Sequence, residues 1–149
     1  MRAWTLLPIA LVTLAAGCGG GGANDNGSTA NSTVPEDYMA SLKAAILTRD
    51  RDTISNRIDL DYLDSCESHD DLVNSIMAAL ATGPTVTFDI LPITGKVVNE
   101  TRGEARFNGG FHLDVASGDA HSALDISGTI HLQANVGIWR LYGNQECSH

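Results

Sequence analysis

Two kinds of hydrophobic spacing divide the chain. Up to about residue 83, apolar residues recur every three or four positions, as they do on one face of a helix. From residue 85 onward apolar and polar residues alternate, beginning with Val86, Phe88 and Ile90, which is typical of half-buried strands. The pattern predicts helices over about 35–48, over about 50–57 and between Ser68 and Gly83, followed by a sheet.

Local signals support these helices. Pro35 with acidic residues behind it suits the first turn of a helix. Ser68 followed by Asp71 forms an S-x-x-D capping box, and Gly83-Pro84 is a typical stop. Ile54 is expected to point inward from the second, short helix.

The strands are expected to share one apolar face. In 104–116 this face holds Phe107, Phe111, Leu113 and Val115, and in 119–134 it holds Leu124, Ile126, Ile130 and Leu132. A turn at Ser117-Gly118 would place Val115 opposite Ala120, and a turn at Asn135-Val136 would place Leu132 beside Trp139. The fold class predicted is α+β, with N-terminal helices packed on one face of a curved, mostly antiparallel sheet of about four strands.

The other face of this sheet is polar. Its residues are His112, Asp114, His121, Asp125, Thr129, His131, Arg140 and Tyr142. An aspartate beside a histidine can fix the imidazole tautomer and raise its basicity, so Asp114 and His121 are the candidate catalytic pair. Two alternatives stay open, a solvated outer face and a zinc site built from the three histidines.

The apolar face encloses either a core or a small apolar ligand. Phe111, Leu124 and Trp139 are candidates for lining such a pocket, and Tyr62 could reach its mouth. This interior is expected to hold neither an acid nor a base, which argues against acid–base catalysis inside the domain.

Length and charge narrow the function classes. The chain has 149 residues with 43% apolar composition, enough for one domain. Its net charge of -9 disfavours nucleic acid as a partner. There is no phosphate-binding glycine loop or paired CxxC motif, so no cofactor is expected. The acids of 59–71 leave calcium binding open, although their spacing lacks the EF-hand pattern.

The amino terminus has the features of an export signal. Arg2, an apolar stretch and small residues have the layout of a secretory signal. Leu14-Ala15-Ala16-Gly17-Cys18 resembles the lipobox of bacterial lipoproteins, which implies a signal peptide over 1–17 and a lipid with palmitate chains on Cys18. The polar stretch 18–34 is expected to be a flexible tether to a domain over 35–149. The resemblance also implies anchoring in the outer membrane, facing the periplasm.

Three cysteines in an exported chain need a reason for the odd one. Lipidation of Cys18 supplies it and leaves Cys66 and Cys147 to form a disulfide. The alternative is an ordinary signal peptide cut nearby, which would leave Cys18 as a free thiol.

A wider resemblance follows from the order of the elements. Three helices, a curved sheet, Asp61-Tyr62-Leu63-Asp64 and the string from Trp139 to Gln145 resemble the nuclear transport factor 2-like (NTF2-like) superfamily. The resemblance implies a cone-shaped domain and allows for a homodimer through the sheet face. The sequence therefore favours a non-catalytic lipoprotein of the cell envelope that binds a partner protein or a small apolar ligand. The alternative is an isomerase or cyclase that uses Asp114 and His121.

Overall fold

The computed structural model describes residues 31–147. The predicted signal peptide over 1–17, the lipidation site Cys18 and most of the predicted tether lie outside these residues. The helices are α1 (Val34–Thr48), α2 (Arg51–Ser55) and α3 (His69–Ala81). The strands are β1 (Leu63–Asp64), β2 (Glu67–Ser68), β3 (Thr85–Ile90), β4 (Thr94–Asn99), β5 (Glu104–Ser117), β6 (Ala120–Asn135) and β7 (Ile138–Leu141).

The three predicted helices are confirmed, and side chains cap two of them. The Asp50 carboxylate accepts hydrogen bonds from the first backbone N–H groups of α2. At α3, the Ser68 hydroxyl accepts from the Asp71 N–H while the Asp71 carboxylate accepts from the Ser68 N–H, which is the predicted capping box. Ile54 is fully buried, as expected from its place in the pattern.

The boundary of the tether needs correction. Ser32 is buried, because its hydroxyl donates to Glu100 Oε1 at 3.0 Å and its carbonyl accepts from Lys96 Nζ at 3.1 Å. The helix behind it begins at Val34. The folded domain therefore includes the last residues of the segment predicted to be a tether over 18–34.

The main sheet is antiparallel and contains five strands. Across the sheet the order is β3, β5, β6 and β7, and β4 pairs with the same edge of β5 as β3 does. The helices pack on one face, so the α+β fold with a sheet of about four strands is confirmed. The sequence pattern missed β4 and the short β1–β2 hairpin.

The predicted pairing register is wrong by two residues in both hairpins. Val115 lies opposite Ser122, not Ala120, and Leu132 lies opposite Leu141, not Trp139. The two-residue loops lie at 118–119 and 136–137, one residue later than the predicted turns at Ser117-Gly118 and Asn135-Val136. Because a shift of two keeps every side chain on its face, the predicted apolar and polar faces are unchanged.

The core lies between the apolar face of the sheet and the helices. The most fully buried large side chains include Met39, Leu42, Ile46, Leu72, Ile76, Phe107 and Leu113. Phe111 stacks on Phe88 with ring centroids 4.8 Å apart. Between residues 31 and 147, no helix combines the length and apolar character needed to cross a bilayer.

Candidate functional site: a polar sheet face and an edge cleft

The polar face of the sheet brings two histidine–aspartate pairs together. His112 Nδ1 donates to Asp125 Oδ1 at 2.6 Å across directly paired positions of β5 and β6. His121 Nδ1 donates to Asp114 Oδ2 at 3.1 Å across a diagonal, because the corrected register puts His121 opposite Ala116. The predicted contact between Asp114 and His121 is therefore present, although the two residues are diagonal and not opposite.

Both pairs face away from the core. Leu124 packs against the core while the neighbouring Asp125 side chain is 70% exposed, and the His121 side chain is 59% exposed. The hydrogen bond to Asp125 raises the pKa of His112 above its ordinary value. Neither pair can act inside the cone, since the sheet lies between them and the helices.

The four candidate pocket residues do not meet in one cavity. Phe111 is in the core and Leu124 is half-buried against it. Trp139 lines a surface pocket of about 340 Å³ with Tyr38, Arg57 and Ile138. Tyr62 lines a different and larger space.

That larger space is a cleft of about 700 Å³, here called the edge cleft. One wall is the segment 125–131 of β6, and the other is formed by the β1–β2 region and the C-terminal segment. Its residues are Tyr62, Asp64, Ser65, Glu67, Arg106, Asp125, Ile126, Ser127, Gly128, Thr129, Ile130, His131, Asn144 and Glu146. The cleft exists because β7 pairs only with residues 132–135 of the long strand β6.

Tyr62 forms part of this cleft with little of its side chain in solvent. The residue is 5% exposed, and a Cβ on Gly143 would come within 3.1 Å of its ring. Gly143 also has a φ of 79°, so the chain passes close to the tyrosine at a position that favours glycine. Burial and the nearby carboxylates of Asp64 and Glu67 raise the pKa of Tyr62, which keeps its hydroxyl protonated and able to donate.

A disulfide holds the far wall of the cleft. Cys66 and Cys147 are joined across 81 residues with their Cα atoms 4.5 Å apart, which supports the predicted pairing. Asn144 Nδ2 donates to both Asp64 carboxylate oxygens at 3.3 Å, and Gln145 Nε2 donates to the Asp61 carbonyl at 2.9 Å. The C-terminal segment is thereby fixed to the β1–β2 region.

The side chains that line the cleft carry a net negative charge. Four carboxylates line it, from Asp64, Glu67, Asp125 and Glu146, against the one guanidinium of Arg106. Burial and then the positive charge of Arg106 lower the pKa of His131 below its ordinary value, which favours the neutral imidazole.

Within residues 31–147, no group of three or more histidine, cysteine, aspartate or glutamate side chains is placed to hold a metal ion. The cleft offers hydrogen-bonding groups and negative charge.

Several residues of the cleft were not singled out from the sequence, among them two charged residues and an asparagine. Arg106, Asn144 and Glu146 all line it. Arg106 alone had a usable signal, because it is the outward residue of β5 that lies opposite His131. Asn144 and Glu146 reach the cleft through the path of the C-terminal segment, which hydrophobic spacing does not describe.

Comparison with known proteins gives a fold. No protein-family model matches the chain, and no curated protein matches it. Solved structures do. A conserved protein from Planctomyces limnophilus is 15% identical with a TM-score of 0.55, covering 75% of this chain and 94% of that one.

Two further structures agree. A variant of a Mycobacterium tuberculosis protein of unknown function is 16% identical with a TM-score of 0.51, covering 77% of this chain and 75% of that one. A variant of Rd1NTF2_05 is 9% identical with a TM-score of 0.51, covering 74% of this chain and 94% of that one. These likenesses bear out the NTF2-like fold expected from the order of the elements.

Proposed function

We propose that this chain is a non-catalytic lipoprotein of a bacterial cell envelope whose NTF2-like domain binds a partner protein. One observation carries the proposal: the interior of the cone is filled by its own side chains. Phe111, Leu113 and Leu132, which lie on the apolar face of the sheet, are each no more than 2% exposed. A partner protein is therefore favoured over a small apolar ligand in the interior.

The place of action follows from the amino terminus. The likeness of residues 14–18 to a lipobox supports a lipid on Cys18, and the polar segment behind it supports a tether. We propose an anchor in the outer membrane, with the domain facing the periplasm.

The anchor is tested by mass. The full chain is isolated from the membranes of a bacterial host in mild detergent, and its intact mass is measured beside that of Cys18→Ser. We expect the chain to lack residues 1–17 and to carry the mass of a lipid that is absent from Cys18→Ser. The absence of lipid mass from both the unchanged chain and Cys18→Ser would contradict the anchor.

Binding is tested by native mass spectrometry of the full chain purified from the organism that encodes it. A protein that accompanies the chain and is released by denaturant is the expected result. An added mass of small-molecule size would favour an apolar ligand instead, and a bare chain would contradict binding.

The alternative is an isomerase or cyclase, and the contact between His121 and Asp114 favours it. Such an enzyme removes a proton from its substrate, so it would exchange protons of small carbonyl compounds for deuterium in D2O. We expect no exchange above the rate without protein, since the pair lies on an exposed face. Exchange that is lost in His121→Ala would establish the alternative.

A further inference from the structure

The strand β6 has a long unpaired edge. It is paired with β5 over residues 120–133, but β7 covers only residues 132–135 on the other side. Beyond β7, the Tyr142 N–H still donates to the His131 carbonyl at 2.9 Å. No strand of the described chain pairs with the stretch 120–130 on this side.

Odd-numbered and even-numbered residues of β6 direct their backbone N–H and C=O groups to opposite edges of the strand. In a two-residue hairpin the closing pair exchanges both hydrogen bonds, and Ser117 with Ala120 is such a pair. Even-numbered residues of β6 therefore bond to β5, as the bond from the Ala134 N–H to the Gly103 carbonyl also indicates. The N–H and C=O groups of Asp125, Ser127 and Thr129 point into the edge cleft.

The side chains along the cleft alternate in character. Ile126 and Ile130 lie on the apolar side of β6, while Asp125 and His131 lie on its polar side. Asp64, Glu67 and Glu146 bring further negative charge from the opposite wall. The cleft thus combines an apolar strip, free backbone groups and an excess of carboxylates.

Tyr62 presents a hydroxyl group to the cleft. The residue is almost completely buried, it lines the cleft, and its hydroxyl has no hydrogen-bond partner within residues 31–147. Since no buried side-chain oxygen of these residues lacks a partner, the Tyr62 hydroxyl reaches solvent in the cleft, where it can donate to an incoming carbonyl.

We propose that the edge cleft receives an extended, basic segment of a partner protein, which pairs with residues 125–129 of β6 as an added strand. The inference rests on the proposed function and names its binding surface. Main-chain hydrogen bonds supply affinity in this mode of recognition, and alternate side chains supply specificity. Here the alternate residues are apolar against Ile126 and Ile130, and lysine or arginine beside the carboxylates.

The test uses two capped synthetic peptides, Ac-KVKVKVKV-amide and Ac-EVEVEVEV-amide, with the full chain. We expect the lysine peptide to bind at least about tenfold more tightly than the glutamate peptide, because only the first complements the charge of the cleft. Hydrogen exchange at the Ser127 and Thr129 amides should slow about tenfold when the lysine peptide saturates the protein. The amides of Ile126 and Gly128 already bond to β5 and should change little.

A matched pair of proline variants separates edge pairing from simple charge attraction. Ser127→Pro removes an edge N–H inside the cleft, whereas Ala123→Pro removes one on the same edge outside it. Binding of the lysine peptide should weaken about tenfold in Ser127→Pro and stay unchanged in Ala123→Pro. Equal binding by both variants, or equal binding of both peptides, would overturn the proposal.

The free protein offers a further check. Slow exchange at Ser127 and Thr129 before any peptide is added would overturn the proposal, because a second copy or residues 1–30 of the same chain would already cover the edge. Failure of the peptide test beside a partner protein seen by native mass spectrometry would refute this surface while leaving the proposed function in place.

Discussion

Val136 occupies a turn position that its side chain disfavours. Both loop residues between β6 and β7 have positive φ, 52° at Val136 and 77° at Gly137, as a type I′ turn requires. Asparagine and glycine adopt this conformation readily, whereas a β-branched residue pays a steric cost there. Val136 is also 96% exposed, so no packing offsets that cost.

Val136→Asn should therefore raise the free energy of unfolding by about 1 kcal/mol. Urea denaturation monitored by circular dichroism would measure the change. The control is Val97→Asn, which places the same substitution at an exposed site within β4 and should lower stability slightly. A gain at position 97 equal to that at 136 would contradict the role assigned to the turn.

The histidines of the sheet differ in their electrostatic surroundings. The bond from His112 to Asp125 raises the pKa of His112 above 6.5, and burial lowers the pKa of His131 below 6.5. NMR titration should show His112 titrating above His131. Asp125→Asn should lower the pKa of His112 and leave that of His131 unchanged, and an unmoved His112 would disprove the pairing.

The same pair makes stability depend on pH. Because the pKa of His112 is higher in the folded state, its contribution is fully present below the unfolded value of 6.5 and is lost as pH rises through the folded value. Asp125→Asn should therefore cost more stability at about pH 5.5 than at about pH 8.5.

At the scale of elements, one arginine connects the end of α1 to the end of α3. Arg49, just after α1, donates to the carbonyls of Leu80, Gly83 and Pro84 at 2.7 to 2.8 Å. These carbonyls lie in the last turn of α3 and in the loop behind it, where a cation also interacts well with the helix dipole.

Arg49→Ala should lower the free energy of unfolding by about 2 to 3 kcal/mol, because it leaves three carbonyls without a charged donor. Arg51→Ala is the matched control, since Arg51 makes one exposed hydrogen bond to Asn74 and its loss should cost about 0.5 kcal/mol or less. Urea denaturation of both variants compares them directly, and equal losses would rule out this cap.

The elements also show how far the sequence could be interpreted. The helices carry both spacing and capping signals, so their bounds were predicted within a few residues. Register was not, because hydrophobic alternation repeats every two residues and cannot distinguish pairings that differ by two. The type I′ turn at Val136 and Gly137 could not be identified from the sequence, since valine is an unusual residue in such a turn.

The edge cleft could not be predicted from the sequence for a related reason. It depends on β7 ending at Leu141 and on the chain turning at Gly143 toward Leu63. Neither event leaves a periodic pattern. Tyr62 was singled out by its place after α2, but its neighbours across the cleft come from strands and a terminus far away in sequence.

At the scale of the whole molecule, the disulfide ties the end of the described chain to its middle. The loop it closes spans 81 residues, so the chain-entropy account assigns it roughly 4 kcal/mol of stability. Dithiothreitol should lower the free energy of unfolding by about this amount, and the thiols of Cys66 and Cys147 should become free only after reduction. The double variant Cys66→Ser with Cys147→Ser is the control and should be insensitive to dithiothreitol. A free thiol on Cys66 or Cys147 in the unfolded, unreduced protein would contradict the bond.

Ser32 shows where the chain leaves the domain. It is held beside β4, and β4 and β6 flank β5 on opposite sides. If Cys18 carries the proposed lipid, the chain from it enters the domain on the side of β4, away from the open edge of β6. The attachment would then leave the edge of β6 accessible to a partner protein from the aqueous compartment. The position of buried Ser32 thus separates the side where the chain enters the domain from the proposed binding edge.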